Sequence, residues 1–154
     1  MPIVVANDGD VSALAGAMGL GVGCKYFSQD AVIKLAPAAG IELDPALSPA
    51  EKLKVVQGLM AEDDPRAAAI YETIGAYLAY TVVLYSQFYD IEHMMMLGRV
   101  MSGKGGDIIL SVCNEILKDE FPALAAKTEV MLPDEKTRRV GQSVAAATLP
   151  EIKK

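Results

Sequence analysis

The segment 73–89 contains no charged residue. An apolar run of this kind forms either a membrane span or a helix of a protein core. A membrane span needs about 20 predominantly apolar residues, whereas this run is shorter and carries several hydroxyl groups. We therefore predict a long helix that begins at Asp64 and Pro65, ends near Tyr89 and is buried nearly all round in a soluble domain. Insertion of 73–89 into a membrane is the alternative.

Composition narrows the class of protein further. The 154 residues, of which 52% are hydrophobic, are enough for one domain with a sizeable core. The formal net charge of −6 and the lack of a basic stripe disfavour nucleic acid and membrane surfaces as direct partners. Cys24 and Cys113 are far apart and lack metal-ligand spacing, so we predict neither a disulfide framework nor a metal site. The opening residues lack the features of a secretory signal, so we expect a cytoplasmic protein.

Apolar periodicity and helix-capping residues predict an alternation of strands and helices. The predicted order is a strand at 2–6, a helix at 11–18, a helix at 27–36 capped by Ser28, a helix from the capping box at Ser48 and Glu51, the long helix, a strand at 93–97, a helix at 107–119, a strand at 128–132 and a helix at 134–149. This order predicts a single α/β domain over 1–154.

Polar residues follow the first predicted strand, in the order Asn7, Asp8, Gly9 and Asp10. Ligands of open α/β sheets bind beyond the carboxyl ends of the strands. A carboxylate at this place could act as a general base on a substrate hydroxyl. An Asx turn that caps the following helix explains the same residues without any function.

A second candidate site is the glycine-rich connection LGRVMSGKGG at 97–106, between a predicted strand and a predicted helix. Glycines let the backbone approach a ligand closely, and a helix N-terminus favours an anion or a polar nucleobase edge. The residue order of a P-loop is absent. A purely structural connection is the alternative.

The remaining polar and sulfur-containing residues favour structural roles. His93 is the only histidine, and we predict a partly exposed structural side chain. The three methionines at 94–96 are interpreted as core packing, because a thioether metal site needs further soft ligands. Lys136, Arg138 and Arg139 are interpreted as a solvated helix face.

Four segments also match a known pattern in their order and spacing. They are Asn7 and Asp8 followed by VSALAGAMG, the long helix YETIGAYLAYTVVLYSQFYD, the strand, loop and helix HMMMLGRVMSGKGGDIIL, and the closing GQSVAAA. Over most of its length the chain resembles the C-terminal lobe of the ROK family, which comprises sugar kinases and related transcriptional repressors of the actin/hexokinase/Hsp70-like ATPase superfamily. The resemblance implies a partial ribonuclease-H-like lobe with a short mixed sheet and several helices, one of them long and central.

The resemblance also implies roles for single residues. Asn7 and Asp8 would bind a sugar, with Asp8 as the base on the hydroxyl that attacks the γ-phosphate. ATP and Mg²⁺ are the implied cofactors, without the zinc of some relatives. Arg99 stands where many relatives have a second glycine. The residues expected to contact the nucleotide are Gly98, Arg99, Ser102 and Gly103.

Two phosphate loops that the superfamily uses, Asp-x-Gly-Gly-Thr and a later Gly-Thr loop, do not occur in the sequence. Residues 19–25 join segments that relatives separate, as though an internal block had been removed. Phosphoryl transfer depends on positioning and charge stabilisation of the γ-phosphoryl group, so we expect a sugar-kinase-related domain that is inactive alone. The alternatives are a non-catalytic oligomerisation module, whose exposed apolar surface pairs with a second copy or a separate N-terminal lobe, and the C-terminal part of a ROK-type transcriptional regulator.

Overall fold

A computed structural model of the chain describes residues 26–133. These residues are mostly helical and also contain a two-stranded parallel sheet. The elements are α1 (Gln29–Leu35), α2 (Pro49–Ala61), α3 (Pro65–Ser86), β1 (His93–Met95), a 3₁₀ turn (Arg99–Met101), α4 (Lys104–Glu120), α5 (Pro122–Ala125) and β2 (Glu129–Met131). The predicted elements at 2–6, 11–18 and 134–149, the proposed junction at 19–25 and the basic residues at 136–139 lie outside the described residues.

The first three described helices begin at the predicted capping residues. Ser28 caps α1 with its side chain. At α2 the Ser48 Oγ accepts from the Glu51 amide at 3.4 Å, and Glu51 Oε2 accepts from the Ser48 amide at 2.8 Å, which completes the capping box. At α3 the Asp64 Oδ1 accepts from the Arg66 amide at 2.8 Å. The hydrogen bonds from Arg66 lower the pKa of the Asp64 carboxyl to about 2.

The 22-residue helix α3 is the central element, and it packs along α4. The two helices run in the same direction, since Tyr71 lies against Gly105 near their starts and Tyr80 donates to Glu120 at the end of α4. Gly75 lies at a close approach of the two helices, because a Cβ there would lie 2.9 Å from the Ile109 carbonyl oxygen. The fully buried large side chains of the core include Tyr71, Leu35, Leu53, Ile70, Ile74, Leu78, Met101, Ile109 and Leu117.

The prediction that 73–89 is buried nearly all round is wrong for its C-terminal part. Leu84, Phe88 and Tyr89 are 57%, 74% and 68% exposed. The physical reason is that α4 ends at Glu120, opposite Tyr80, so the last turns of α3 extend beyond it. By length and composition alone α3 could cross a membrane, but half of its most apolar 18-residue window is buried inside the domain.

Strands β1 and β2 are parallel, with His93 opposite Glu129 and Met95 opposite Met131. Both were predicted, although each is shorter than the predicted run. Residues 26–133 show a two-stranded parallel sheet, and the mixed sheet stays a prediction. His93 is exposed and its Nδ1 lies 3.3 Å from the Glu129 carboxylate, as expected of a structural histidine. The prediction that the methionines at 94–96 pack in the core is correct for the buried Met96. It is wrong for Met95, which is 46% exposed.

Candidate functional site

The glycine-rich connection joins the end of β1 to the start of α4. Its backbone has positive φ at two glycines, +121° at Gly98 and +69° at Gly103, on either side of the 3₁₀ turn. Residues with a Cβ rarely adopt these conformations. A Cβ at either position would meet nothing within 4 Å. Glycine is therefore favoured at both positions by the backbone conformation and not by a lack of space.

The start of α4 differs from the prediction. The helix begins at Lys104 and not near Asp107, so Gly105 and Gly106 belong to its first turn. A Cβ on Gly105 would lie 2.5 Å from the ring of Tyr71, and a Cβ on Gly106 would lie 2.2 Å from the carbonyl oxygen of Met101. These two glycines are therefore needed for close packing inside a helix rather than for a loop.

One side of the connection borders a cleft that we name the first cleft. It has a volume of about 260 Å³ and lies between 97–100 and the start of α1 at 27–30. Gly98 and Arg99 line it. The Arg99 carbonyl oxygen accepts from Gln57 Nε2 at 3.0 Å, which ties this side of the connection to α2.

The other side borders the second cleft, of about 280 Å³. Ser102, Gly103, Lys104 and Gly105 line it together with Gln57, Met60 and Ala61 of α2 and Tyr71 of α3. The four residues expected to contact a nucleotide are thus brought together in one connection. They divide between two clefts, because the 3₁₀ turn separates Gly98 and Arg99 from Ser102 and Gly103.

Two side chains define the chemistry of the second cleft. Lys104 Nζ donates to Asp63 Oδ1 at 2.8 Å and to the Ala61 carbonyl oxygen at 3.2 Å. Tyr71 is 0% exposed, and its hydroxyl makes no hydrogen bond within residues 26–133. Burial raises the pKa of this phenol to about 12, so it stays a neutral donor. Sequence reasoning missed Tyr71 because a tyrosine on the apolar face of a long helix is typical of core packing.

Residues 26–133 contain no group of three or more histidine, cysteine or acidic side chains that could hold a metal ion. Asn7 and Asp8, the expected sugar-binding pair, lie outside the described residues. Asp30, at the start of α1, is the acidic residue that lines the first cleft.

Comparison of the chain with models of protein families finds no match, and comparisons with curated proteins and with solved structures find none either. The function is therefore proposed from the resemblance described above and from the residues and geometry of the chain itself.

Proposed function

We propose that this chain is a ROK-type sugar-kinase-related domain, a partial actin-like ATPase lobe, that binds the nucleoside part of ATP in the first cleft and does not transfer a phosphoryl group on its own. The observation that carries the proposal is the path of the chain from parallel strand β1, through Gly98 with φ +121° and the 3₁₀ turn, into α4. In α/β domains ligands bind at the carboxyl ends of parallel strands.

The size and polarity of the first cleft support a nucleoside. Its volume of about 260 Å³ is below the roughly 300–1,000 Å³ usual for ligand pockets, which suits a base with its ribose and leaves the phosphates outside. The backbone at Gly98 has open space around it. The exposed Arg99 supplies a positive charge beside the cleft for phosphate oxygens.

The absence of turnover follows from the chemistry that phosphoryl transfer needs. Mg²⁺ and hydrogen-bond donors must stabilise the charge on the γ-phosphoryl group. The phosphate loops are absent from the sequence, and the part of the chain that the structure describes offers no metal-ligand cluster. Asp8, the implied base, can accept a proton but cannot supply that stabilisation.

Isothermal titration with ATP and Mg²⁺ tests the nucleoside proposal. We expect wild type to bind ATP and Gly98→Ala to weaken binding by about tenfold or more, because backbone strain of about 1–3 kcal/mol at this position displaces the connection. Gly40→Ala is the matched control, since Gly40 also has a positive φ of +75° and open surroundings but lies outside both clefts. A phosphotransfer assay with ATP and a panel of hexoses should give no product.

Two results would contradict the proposal. Wild type that fails to bind ATP, or Gly98→Ala that binds it as tightly as Gly40→Ala, removes the nucleoside site. Turnover comparable to that of ordinary sugar kinases overturns the expected lack of activity.

A second candidate function is self-association through the exposed end of α3 and the turn that follows it, a surface formed by Leu84, Tyr85, Phe88 and Tyr89. We propose a second copy of the chain as the partner, because aromatic side chains are typical of protein interfaces. The surface contains no charged residue, so it can pair with its own copy without burying a charge.

Light scattering tests this second function. Wild type at micromolar concentration should have the mass of a dimer, and the double variant Leu84→Glu and Phe88→Glu should be monomeric, because four charges would then be buried in a symmetric contact. Val55→Glu is the control, since Val55 is 41% exposed and lies on α2. A monomeric wild type would rule out the dimer.

A further inference from the structure

The second cleft presents backbone donors at the start of α4. This 17-residue helix begins after Gly103, and no side chain caps it. The amides of Lys104 and Gly105 have no acceptor among residues 26–133. The first amides of a helix point outward and carry partial positive charge, so they favour an anion.

The buried hydroxyl of Tyr71 provides an independent observation at the same place. The Cζ edge of its ring lies beneath Gly105, where a Cβ would be only 2.6 Å away, so the phenol end is at the first turn of α4. The residue lines the second cleft and is 0% exposed, and its hydroxyl has no hydrogen-bond partner in the part of the chain that the structure describes. A buried donor without an acceptor is costly, and a ligand oxygen in the cleft would remove that cost.

Lys104 adds a positive charge on an exposed side chain. Its side chain is 53% exposed and its ammonium now contacts Asp63, which is itself 75% exposed. A long lysine side chain can turn its ammonium from this exposed carboxylate to a ligand in the cleft. Met60 and Ala61 form an apolar wall, and Gly103, around which nothing lies within 4 Å of a Cβ, leaves the backbone open to approach, whereas Gly105 is packed against Tyr71.

We propose that the second cleft binds an oxyanion, a phosphate or carboxylate group on a small body, with the Lys104 and Gly105 amides, the Lys104 ammonium and the Tyr71 hydroxyl as donors. This site is separate from the nucleoside site of the first cleft and does not depend on it.

Nuclear magnetic resonance titration of the full chain with inorganic phosphate and, separately, with acetate tests the site. We expect saturable shifts of the Lys104 and Gly105 amides at millimolar anion. Tighter binding of phosphate would support a phosphate group as the ligand, and tighter binding of acetate would support a carboxylate. Tyr71→Phe should weaken binding by about three- to tenfold, the usual worth of one hydrogen bond, and Lys104→Gln should weaken it too.

A stability measurement separates binding from folding. Without anion, Tyr71→Phe should have an unchanged or higher thermal midpoint, because it removes only a hydroxyl that has no partner among residues 26–133. Tyr80→Phe, which removes a hydroxyl from the same helix outside the second cleft, is the control for the binding measurement. Absence of saturable shifts, or equal affinity in wild type and Tyr71→Phe, overturns the site. Neither result affects the comparison of Gly98→Ala with Gly40→Ala, which reports on the first cleft.

Discussion

Replacing Leu78 by alanine is expected to lower the free energy of unfolding by about 2–5 kcal/mol, the usual range for a leucine truncated in a core. Leu78 is 1% exposed and lies in the middle of α3. Leu84→Ala is the matched control, because it is the same substitution on the same helix at a side chain that is 57% exposed. We expect it to change the free energy of unfolding by less than about 0.5 kcal/mol.

Denaturant unfolding at low protein concentration measures both values without a contribution from self-association. A loss at Leu84 as large as that at Leu78 would mean that the end of α3 is covered within the monomer. That result would also contradict its proposed role as a dimer contact. If both substitutions lowered the free energy of unfolding only slightly, the central position of α3 in the core would be contradicted.

Gly106→Ala is expected to lower the free energy of unfolding by about 1–3 kcal/mol. Alanine favours a helix over glycine by about 1 kcal/mol, but its Cβ would lie 2.2 Å from the Met101 carbonyl oxygen. Backbone atoms cannot rotate out of the way as a side chain can, so the 3₁₀ turn must shift. Gly58→Ala on α2 meets nothing within 4 Å and should instead raise the free energy of unfolding by about 0.5–1 kcal/mol.

Thermal and denaturant melts of the two alanine variants give the comparison. We expect the two substitutions to change the free energy of unfolding in opposite directions, although both replace glycine by alanine. This difference in direction is the result that tests the packing at Gly106. If Gly106→Ala were as stable as Gly58→Ala, the first turn of α4 would not pack against Met101. The helix would then begin later, near Asp107, as the sequence suggests.

The helix starts could be predicted because their causes are local. Ser28, Ser48 and Asp64 each bond to an amide two or three residues away, so the signal and its partner lie in one short stretch. The start of α4 could not be predicted, since it is decided by contacts with Tyr71, which is 34 positions away from Gly105 in the sequence. The exposed end of α3 escaped prediction for the same reason, because only the position of Glu120 reveals it.

The position of the candidate site along the chain could be predicted from the sequence, but its division into two clefts could not. Glycine content and the change from strand to helix pattern were enough to single out the connection at 97–106. Its division into two clefts depends on other elements, since the start of α1 lines the first cleft and α2 lines the second. The roles of Asn7 and Asp8 remain predictions from the resemblance, as do those of ATP and Mg²⁺.

The parallel course of α3 and α4 has a consequence for the order of folding. Neighbouring helices joined by a short turn run antiparallel and can pair as soon as both form. Here β1 and the 3₁₀ turn lie between the two helices in the chain, and the Tyr80 to Glu120 hydrogen bond joins residues that are 40 positions apart. The entropy of closing such a loop has to be overcome before the main helix contact forms. We therefore expect the contact between α3 and α4 to form by a long-range search, whereas α3 can pack against α2, its neighbour in the chain, without such a search.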